Sequence, residues 1–432
     1  MDNSFAKTNY LLKSVKTGKI YEDYGWVLDA PGEKEPSLIR AEYEKTKLNV
    51  KNDSFGLYKF SEWLPVSRML KGSSAPVTYK SEGLAKELGL ENLWITFSGY
   101  WPEKGAQMTT GSFKETEAYS VGGRMNGEMD KILVVASAGN TSRSFAKVCS
   151  ENNIPLLLCV PEDNISALWF DNEINDCVKL VCSQSGSDYF DAIHLSNIIA
   201  GFEQFVPEGG AKNVARRDGM GTTVLSAVTE IKKIPDYYFQ AVGSGTGAIA
   251  AWEANLRFIK DGRFGNNKMK LMVSQNAPFT PLYNAWKADS RAMLPLEDDI
   301  ARKQVEEIDA KVLSNRKPPY PIAGGLYDAL KDSQGDVLVA TNEQAHAASE
   351  LFEKTEGIDI HPAAAVATAT LIDAAKTGRV EKDAVIMLNI TGGGEKKFKQ
   401  EKEIHYLKPD IIFEINPNPE TVKEKIEKLF EF

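Results

Sequence analysis

The chain has 432 residues, of which 42% are apolar, and this length is usual for two or three domains, each with its own hydrophobic core. We expect two domains. The formal net charge of −9 argues against a nucleic acid or an anionic membrane surface as the main partner, because both attract basic surfaces. A small anionic substrate is compatible with this charge, since a local basic pocket does not require a basic protein.

The first seven residues lack the apolar core of a signal peptide, and no window approaches the roughly 18 apolar residues of a membrane span. The sequence therefore predicts a cytoplasmic protein that does not act at a membrane. The four cysteines and four histidines form no CxxC or HxxxH pair. We predict reduced cysteines packed in the core and no metal site.

The first half of the chain opens with residues 1–50, which are polar and irregular apart from a short strand predicted at 19–22. A helix at 81–88 ends at Gly89, and a strand at 93–97 leads through a loop to a helix at 113–125. For that helix we expect Ser112 as the N-cap residue, with Glu115 completing a capping box.

Strands and helices alternate in the rest of the chain. We predict strands at 132–136, 154–160, 178–182, 237–242, 271–274 and 385–390, and helices at 143–150, 222–234, 248–259, 342–354 and 364–376. Residues 278–321 are less regular. Alternation at this spacing predicts an α/β protein with parallel sheets covered by helices.

Three stretches carry candidate chemistry. Lys114 follows Gly111-Ser112-Phe113 in a loop that enters a helix, which can present its amine into a cleft. Asn140 stands in a strand-to-helix turn. The glycine-rich run 243–247 joins a strand to a helix, so its backbone N–H groups can converge on a phosphate at the positive end of the helix dipole. A dinucleotide-binding fold uses a similar turn, but it also needs an acidic residue about 20 positions later, where this chain has Ser274-Gln275-Asn276.

Together, these elements resemble the fold-type II pyridoxal-phosphate enzymes, the tryptophan synthase β and threonine synthase group, over roughly residues 55–400. The resemblance implies two α/β domains with parallel-rich sheets and the active site in the cleft between them. A large cofactor-binding domain would combine 51–120 with 240–432, and a small mobile domain at 121–239 would carry the Asn140 turn. Residues 1–50 resemble the zinc-ribbon opening of some relatives, but without its cysteines.

The resemblance also implies roles for individual residues. Lys114 would form the Schiff base with pyridoxal 5′-phosphate, Asn140 would bind the cofactor's 3-hydroxyl, and the hydroxyl of Thr391 would face the pyridine nitrogen. A hydroxyl does not enforce a protonated ring, which suits β- or γ-elimination and replacement better than transamination. The cofactor phosphate would lie in the cup formed by Gly243, Ser244, Gly245, Thr246 and Gly247. The substrate carboxylate would be bound by Ser137, Gly139, Thr141 and Ser142.

Within this group, residues 98–106 and 110–118 resemble the cysteate synthases, which make cysteate and phosphate from O-phosphoserine and sulfite, with coenzyme M biosynthesis as the implied pathway. Threonine synthases commonly follow the lysine with Asp-Arg, where this chain has Glu115-Thr116. Arg143 is a candidate for binding phosphate or sulfite through its planar guanidinium. Lys104, Arg216 and Arg217 are weaker candidates, and His361 has no assigned role.

Four alternatives remain at this stage. Two are enzymes of the same family: a threonine synthase acting on O-phosphohomoserine and an O-phosphoserine-dependent cysteine synthase. The others are a non-catalytic protein that binds or senses pyridoxal phosphate and an NAD-dependent oxidoreductase. In every enzymatic reading the partners are small molecules, and we expect a homo-oligomer.

Overall fold

A computed structural model describes residues 8–24, 26–125, 130–137 and 139–430. Residues 1–7, on which the expectation about a signal peptide depends, lie outside this part of the chain. Within it, no helix is both long enough and apolar enough to cross a membrane.

Strands and helices alternate along most of the described chain. Strands β1 to β18 span Tyr10–Ser14, Ile20–Tyr21, Ile39–Tyr43, Val77–Lys80, Asn92–Phe97, Tyr100–Trp101, Ala106–Gln107, Ile132–Ala136, Leu156–Pro161, Trp169–Phe170, Val178–Ser183, Phe205–Pro207, Tyr237–Ala241, Lys270–Asn276, Asp336–Ala340, Val385–Ile390, His405–Tyr406 and Ile411–Phe413. Helices α1 to α13 span Gly83–Leu88, Lys114–Arg124, Asn140–Asn152, Tyr189–Ala200, Val214–Ile231, Thr246–Asp261, Pro281–Lys287, Asp298–Glu307, Leu326–Ser333, Asn342–Glu356, Pro362–Lys376, Glu395–Glu401 and Pro419–Leu429.

The larger sheet has the strand order β15-β14-β13-β16-β5-β4. Its strands are parallel except β4, which runs antiparallel to β5. Helices α10 and α11 pack against one face, and α5, α6 and α9 against the other, which explains why β13 is buried along its whole length. The carboxyl ends of β13 and β16 meet at one edge, where the glycine-rich loop and Thr391 follow them.

The smaller sheet is fully parallel, with the order β12-β8-β9-β11-β18. Helices α3 and α4 cover it, and α3 begins just after the carboxyl end of β8. Its last strand, β18, comes from the C-terminal end of the chain, and α13 packs with α4 beside it. The C-terminal segment, which the sequence placed in the large domain, therefore belongs with the smaller sheet.

Several other elements differ from the expectation. The predicted helix at 222–234 begins earlier, at Val214, because Asn213 caps it by accepting the backbone N–H of Ala215 at 3.0 Å. Its first turns carry Arg216, Arg217 and Asp218, which are buried in ion pairs and so give no apolar pattern. The elements with no predicted counterpart include strand β15 and helices α4, α7, α8, α9, α12 and α13. The N-terminal strands β2-β1-β3 form a small antiparallel sheet that includes the short strand predicted at 19–22.

Candidate active site

Lys114 is the first residue of α2, and 19% of its side chain is exposed. The hydroxyl of Ser112 accepts the Lys114 backbone N–H at 3.3 Å, but the expected capping box does not form. The Glu115 carboxylate instead accepts the backbone N–H and the hydroxyl of Thr110, at 3.1 and 2.8 Å. Glu115 therefore fixes the loop that leads to Lys114.

The end of β16 is attached to the same loop. The backbone N–H of Phe113 donates to the carbonyl of Thr391 at 2.9 Å, and the N–H of Gly393 donates to the carbonyl of Gly111 at 3.0 Å. A Cβ on Gly392 would lie 2.8 Å from the Gly111 oxygen, so only glycine allows this approach. These contacts hold Thr391 beside Lys114.

The glycine-rich loop forms an open cup at the start of α6. Gly245 has φ +77°, and a Cβ there would lie 2.7 Å from the side chain of Leu326. A Cβ on Gly247 would lie 2.6 Å from Gln240 Nε2. The first-turn N–H groups of a helix have no acceptor within the helix, and in α6 the Thr246 N–H contacts the Ser244 hydroxyl at 3.3 Å while Gly245 provides no side-chain cap. The cup therefore offers backbone donors to an anion.

Two adjoining cavities bring the predicted residues together. The first is lined by Lys114, Asn140, the loop 243–247 and Thr391, together with Phe113, Met220, Gln240, His361 and Ala363. The second is lined by Lys114, Ser137, Gly139, Asn140, Thr141, Tyr189, Arg216, Ser244 and Asn315. Ser142 is fully buried and lines neither cavity.

Arg143 is buried and makes contacts that the sequence did not indicate. Its Nε donates to the carbonyl of Thr110 at 2.9 Å, Nη1 to the carbonyl of Ala167 at 2.5 Å, and Nη2 to Asn140 Oδ1 at 2.9 Å. Burial lowers the pKa of the guanidinium to about 10, and the group stacks 4.1 Å from the centre of the Trp169 ring. This geometry favours a structural role over the substrate-binding role suggested by the sequence.

The contact with Arg143 fixes the orientation of the Asn140 carboxamide. Oδ1 is engaged by the guanidinium, which leaves Nδ2 as the group available to the cavity. Lys104, the other basic residue predicted to bind substrate, lies outside both cavities. It is exposed, with Nζ 4.8 Å from the Tyr79 ring and 5.6 Å from the Trp101 ring.

A buried chain of charges extends from Lys114. Lys114 Nζ lies 3.3 Å from Glu117 Oε2, which lies 3.2 Å from Arg216 Nε, and Arg216 Nη1 lies 2.5 Å from Glu208 Oε2. Burial lowers the pKa of Lys114, an effect that Glu117 opposes and Arg216 reinforces. Burial also raises the pKa of Glu208, although the nearby charge of Arg216 acts to lower it.

Sequence reasoning overlooked Glu117 and named Arg216 only as a weak candidate. One signal was available for Glu117, because residues three apart on a helix share a face. Nothing local connects Arg216 to Lys114. His361 also lines the first cavity, and its Nε2 lies 3.1 Å from Glu395 Oε2. Burial would raise the pKa of Glu395, but His361, Lys399 and Arg143 outweigh it and lower that pKa to about 2.

Comparison with known proteins agrees with this geometry. Residues 75–392 match a family model described as pyridoxal-phosphate dependent enzyme. Cysteate synthase from Methanosarcina acetivorans is 46% identical over 96% of this chain and 99% of its own length. The cysteate synthase from Methanosarcina mazei is 48% identical over 93% of this chain and 96% of its own length.

Two solved structures share the fold. Maize serine racemase superposes with a TM-score of 0.58 at 13% identity, covering 76% of this chain and 91% of that protein. The processed form of threonine deaminase isoform 2 from Solanum lycopersicum gives a TM-score of 0.54 at 16% identity, covering 76% of this chain and 86% of that protein. At these identities the likeness concerns the fold alone.

Proposed function

Because this chain belongs to the pyridoxal-phosphate-dependent enzymes, and within them to the family of the cysteate synthases, we propose that it converts O-phospho-L-serine and sulfite into L-cysteate and phosphate. The observation that carries this proposal is the pair of cavities that meet at Lys114. One contains a cup for a phosphate group, and the other combines the start of α3 with the cation Arg216.

The residues of the first cavity fit pyridoxal 5′-phosphate. Backbone N–H groups of the loop 243–247 would hold the phosphate, and Lys114 would bond the aldehyde carbon. Asn140 Nδ2 would donate to the 3-hydroxyl, because Arg143 already engages Oδ1. Thr391 would offer its hydroxyl to the pyridine nitrogen. When bound, this cofactor draws electrons from the α-carbon of the substrate, which makes the α-proton acidic.

Lys114 is suited to take that proton. A free amine of ordinary pKa is protonated at neutral pH and cannot act as a base. Burial lowers the pKa of Lys114 and so increases the fraction of neutral amine. The same amine can later return the proton and displace the product.

The second cavity suits a substrate with two anionic groups. Ser137, Gly139 and Thr141 surround the N-terminal end of α3, where backbone donors and the helix dipole would bind the α-carboxylate. Arg216 lines the same cavity, and we assign it to the phosphate of the substrate and to sulfite after phosphate has left. Tyr189 and Asn315 offer further polar contacts.

We also propose a cytoplasmic location and a homo-oligomeric state. All four cysteines are free, which is usual in a reducing compartment. The N-terminal sheet exposes Leu11 and Ile20, and the nearby Tyr24 is 80% exposed, which would suit a contact with a second copy. Light scattering of the purified protein tests this state, and a monomer at micromolar concentration would contradict it.

A substrate panel tests the proposed reaction. Phosphate release is measured from O-phosphoserine and from O-phosphohomoserine, each with and without sulfite, and the amino-acid products are identified by mass. We expect cysteate only when O-phosphoserine and sulfite are both present. Threonine from O-phosphohomoserine without any cysteate would instead make the protein a threonine synthase.

A further inference from the structure

Glu117 connects the two cavities without lining either of them. Its side chain is fully buried, and the same oxygen, Oε2, lies 3.3 Å from the Lys114 amine and 3.2 Å from Arg216 Nε. Lys114 belongs to both cavities, whereas Arg216 belongs only to the second. One carboxylate oxygen therefore contacts both the proposed base and the proposed anion-binding group.

The packing of α2 against α5 makes this contact possible. Glu117 is on α2 and Arg216 on α5, and the helices pass closely at Gly219. A Cβ on Gly219 would lie 2.4 Å from the carbonyl oxygen of Thr116, so any larger residue would separate the helices. The position of Glu117 between the two cations is thus built into the fold.

Positive and negative groups alternate along this chain, in the order Lys114, Glu117, Arg216 and Glu208. Buried charges are tolerated only when they are paired, so a change of charge at one end alters the other groups. The charged or titratable groups around the Lys114 amine are Glu117 on its own helix, Arg216 on α5, Glu208 before α5, and His361, which lines the first cavity. Tyr189 on α4 interacts with Arg216, Glu208 and Glu117.

We propose that Glu117 is a positioning residue that couples the two cavities: it holds the Lys114 amine and Arg216 together, so that an anion bound at Arg216 changes proton binding at Lys114. The inference rests on the proposed function only in identifying that anion as phosphate or sulfite. An anion cancels part of the charge of Arg216 and thereby raises the pKa of Lys114. The amine is then a stronger base while the phosphate group is present, and it releases its proton more readily after phosphate has left.

The first test measures how fast cofactor-free, full-length protein takes up pyridoxal 5′-phosphate as a function of pH. Only the neutral amine of Lys114 reacts with the aldehyde, so the midpoint of this profile reports the pKa of Lys114. Because Glu117 raises that pKa, Glu117→Gln should move the midpoint to lower pH. Glu117→Asp keeps the charge and should restore most of the shift.

Glu151→Gln is the matched control for this test. Glu151 pairs with a different buried lysine, Lys147, at 3.2 Å. The Glu151→Gln variant should therefore leave the uptake midpoint unchanged. A Glu117→Gln profile that coincides with those of the unchanged protein and the Glu151→Gln variant would overturn the proposal.

The second test uses the cofactor-loaded protein, in which the cup at 243–247 is already filled. The absorbance of the bound cofactor changes when the nitrogen that links it to Lys114 gains or loses a proton. Inorganic phosphate should move this titration to higher pH in the unchanged protein, and the shift should be lost in Glu117→Gln. An equal shift in both proteins would show that the coupling bypasses Glu117. Neither test requires cysteate formation, so a failure of this coupling can be distinguished from a failure of the proposed reaction.

Discussion

Several residues that fix the site never enter the cavities. Glu115 holds Thr110 in the loop before Lys114, and Lys147 Nζ lies 3.6 Å from Glu115 Oε1. Arg143 contacts that loop and Asn140 at the same time. Arg143 donates to three protein acceptors, and Glu115 Oε2 accepts two hydrogen bonds from Thr110, so these buried groups hold the lysine and the asparagine in a fixed relative position. Rigid placement of this kind reduces the entropy that must be lost in the reaction.

Exchanging Lys114 for alanine tests the residue at the centre of the site. The Lys114→Ala variant cannot bond the cofactor, so we expect the purified protein to lose the visible absorbance of the bound cofactor and all turnover. Absorbance spectra and the cysteate assay provide the measurement. Retention of either property would rule out Lys114 as the cofactor-binding lysine.

The role of Arg143 is tested by Arg143→Lys. Lysine keeps the charge but cannot bridge Asn140, Thr110 and Ala167 at once. Loss of a hydrogen bond from a charged group costs about 1.5–3 kcal/mol, so the affinity for pyridoxal 5′-phosphate should fall roughly tenfold or more. A fluorescence titration with pyridoxal 5′-phosphate measures this affinity. Lys104→Ala, which removes an exposed side chain, should leave it unchanged. Equal affinities for all three proteins would contradict the proposed bridge.

At the level of elements, helix α6 provides an internal comparison between its two ends. Gly245 at the start has φ +77° and Gly262 at the end has φ +76°, but only Gly245 belongs to the cup. A Cβ on Gly262 meets nothing within 4 Å. Alanine at either position carries the same left-handed strain, about 1 kcal/mol.

We therefore expect both glycine variants to lose stability in chemical denaturation, Gly245→Ala the more because its Cβ also meets Leu326, while only Gly245→Ala loses cofactor affinity, by about tenfold or more. The reason is that the Cβ at Gly245 pushes against Leu326 and displaces the donors of the cup. Equilibrium dialysis against pyridoxal 5′-phosphate measures the difference. If Gly262→Ala weakened binding as much, the cup would not be the phosphate site.

Helices α4 and α8 form a second pair of elements with a functional consequence. Arg302 on α8 pairs with Asp191 on α4 at 3.0 Å, and Arg316, almost fully buried, pairs with Asp188 at the start of α4. The neighbouring residues Tyr189 and Asn315 line the second cavity, so these ion pairs join the smaller sheet to the wall of the site. Closed sites exclude water that would otherwise react in place of the intended nucleophile.

The double variant Arg302→Gln, Arg316→Gln removes these ion pairs and should let water enter the second cavity. We expect phosphate release to exceed cysteate formation, because water then competes with sulfite, whereas the unchanged protein should form the two products in equal amounts. Arg291→Gln is the control, since Arg291 pairs at 2.7 Å with Asp328 on the neighbouring α9 and does not reach α4. An unchanged product ratio in the double variant would mean that these ion pairs do not seal the site.

Considered as a whole, the molecule has its candidate site where the loops of two parallel-rich sheets meet. The Asn140 turn follows the smaller sheet, and the loop 243–247 and Thr391 follow the larger one. These features were predictable because each is a local strand-turn-helix pattern with glycine or a small polar residue at the turn. The alternation of strands and helices likewise predicted the α/β class.

Long-range contacts were not predictable in this way. Arg216 reaches Glu117 only because α2 packs against α5, and β18 joins β11 from the far end of the chain. Arg143 was a candidate for substrate binding because a guanidinium stands one turn into the helix after Asn140, and Lys104 was one because it is basic. Arg143 is buried among protein acceptors, whereas Lys104 is exposed beside two aromatic rings. Both environments depend on tertiary packing that no local sequence pattern encodes.

The most direct test of the whole account locates the cofactor on the chain. The purified, cofactor-loaded protein is reduced with borohydride, digested, and searched by mass spectrometry for the lysine that carries the pyridoxyl group. We expect the modification on the peptide that contains Lys114 and on no other peptide in stoichiometric amount. Stoichiometric modification of a different lysine would show that the two cavities that meet at Lys114 are not the active site.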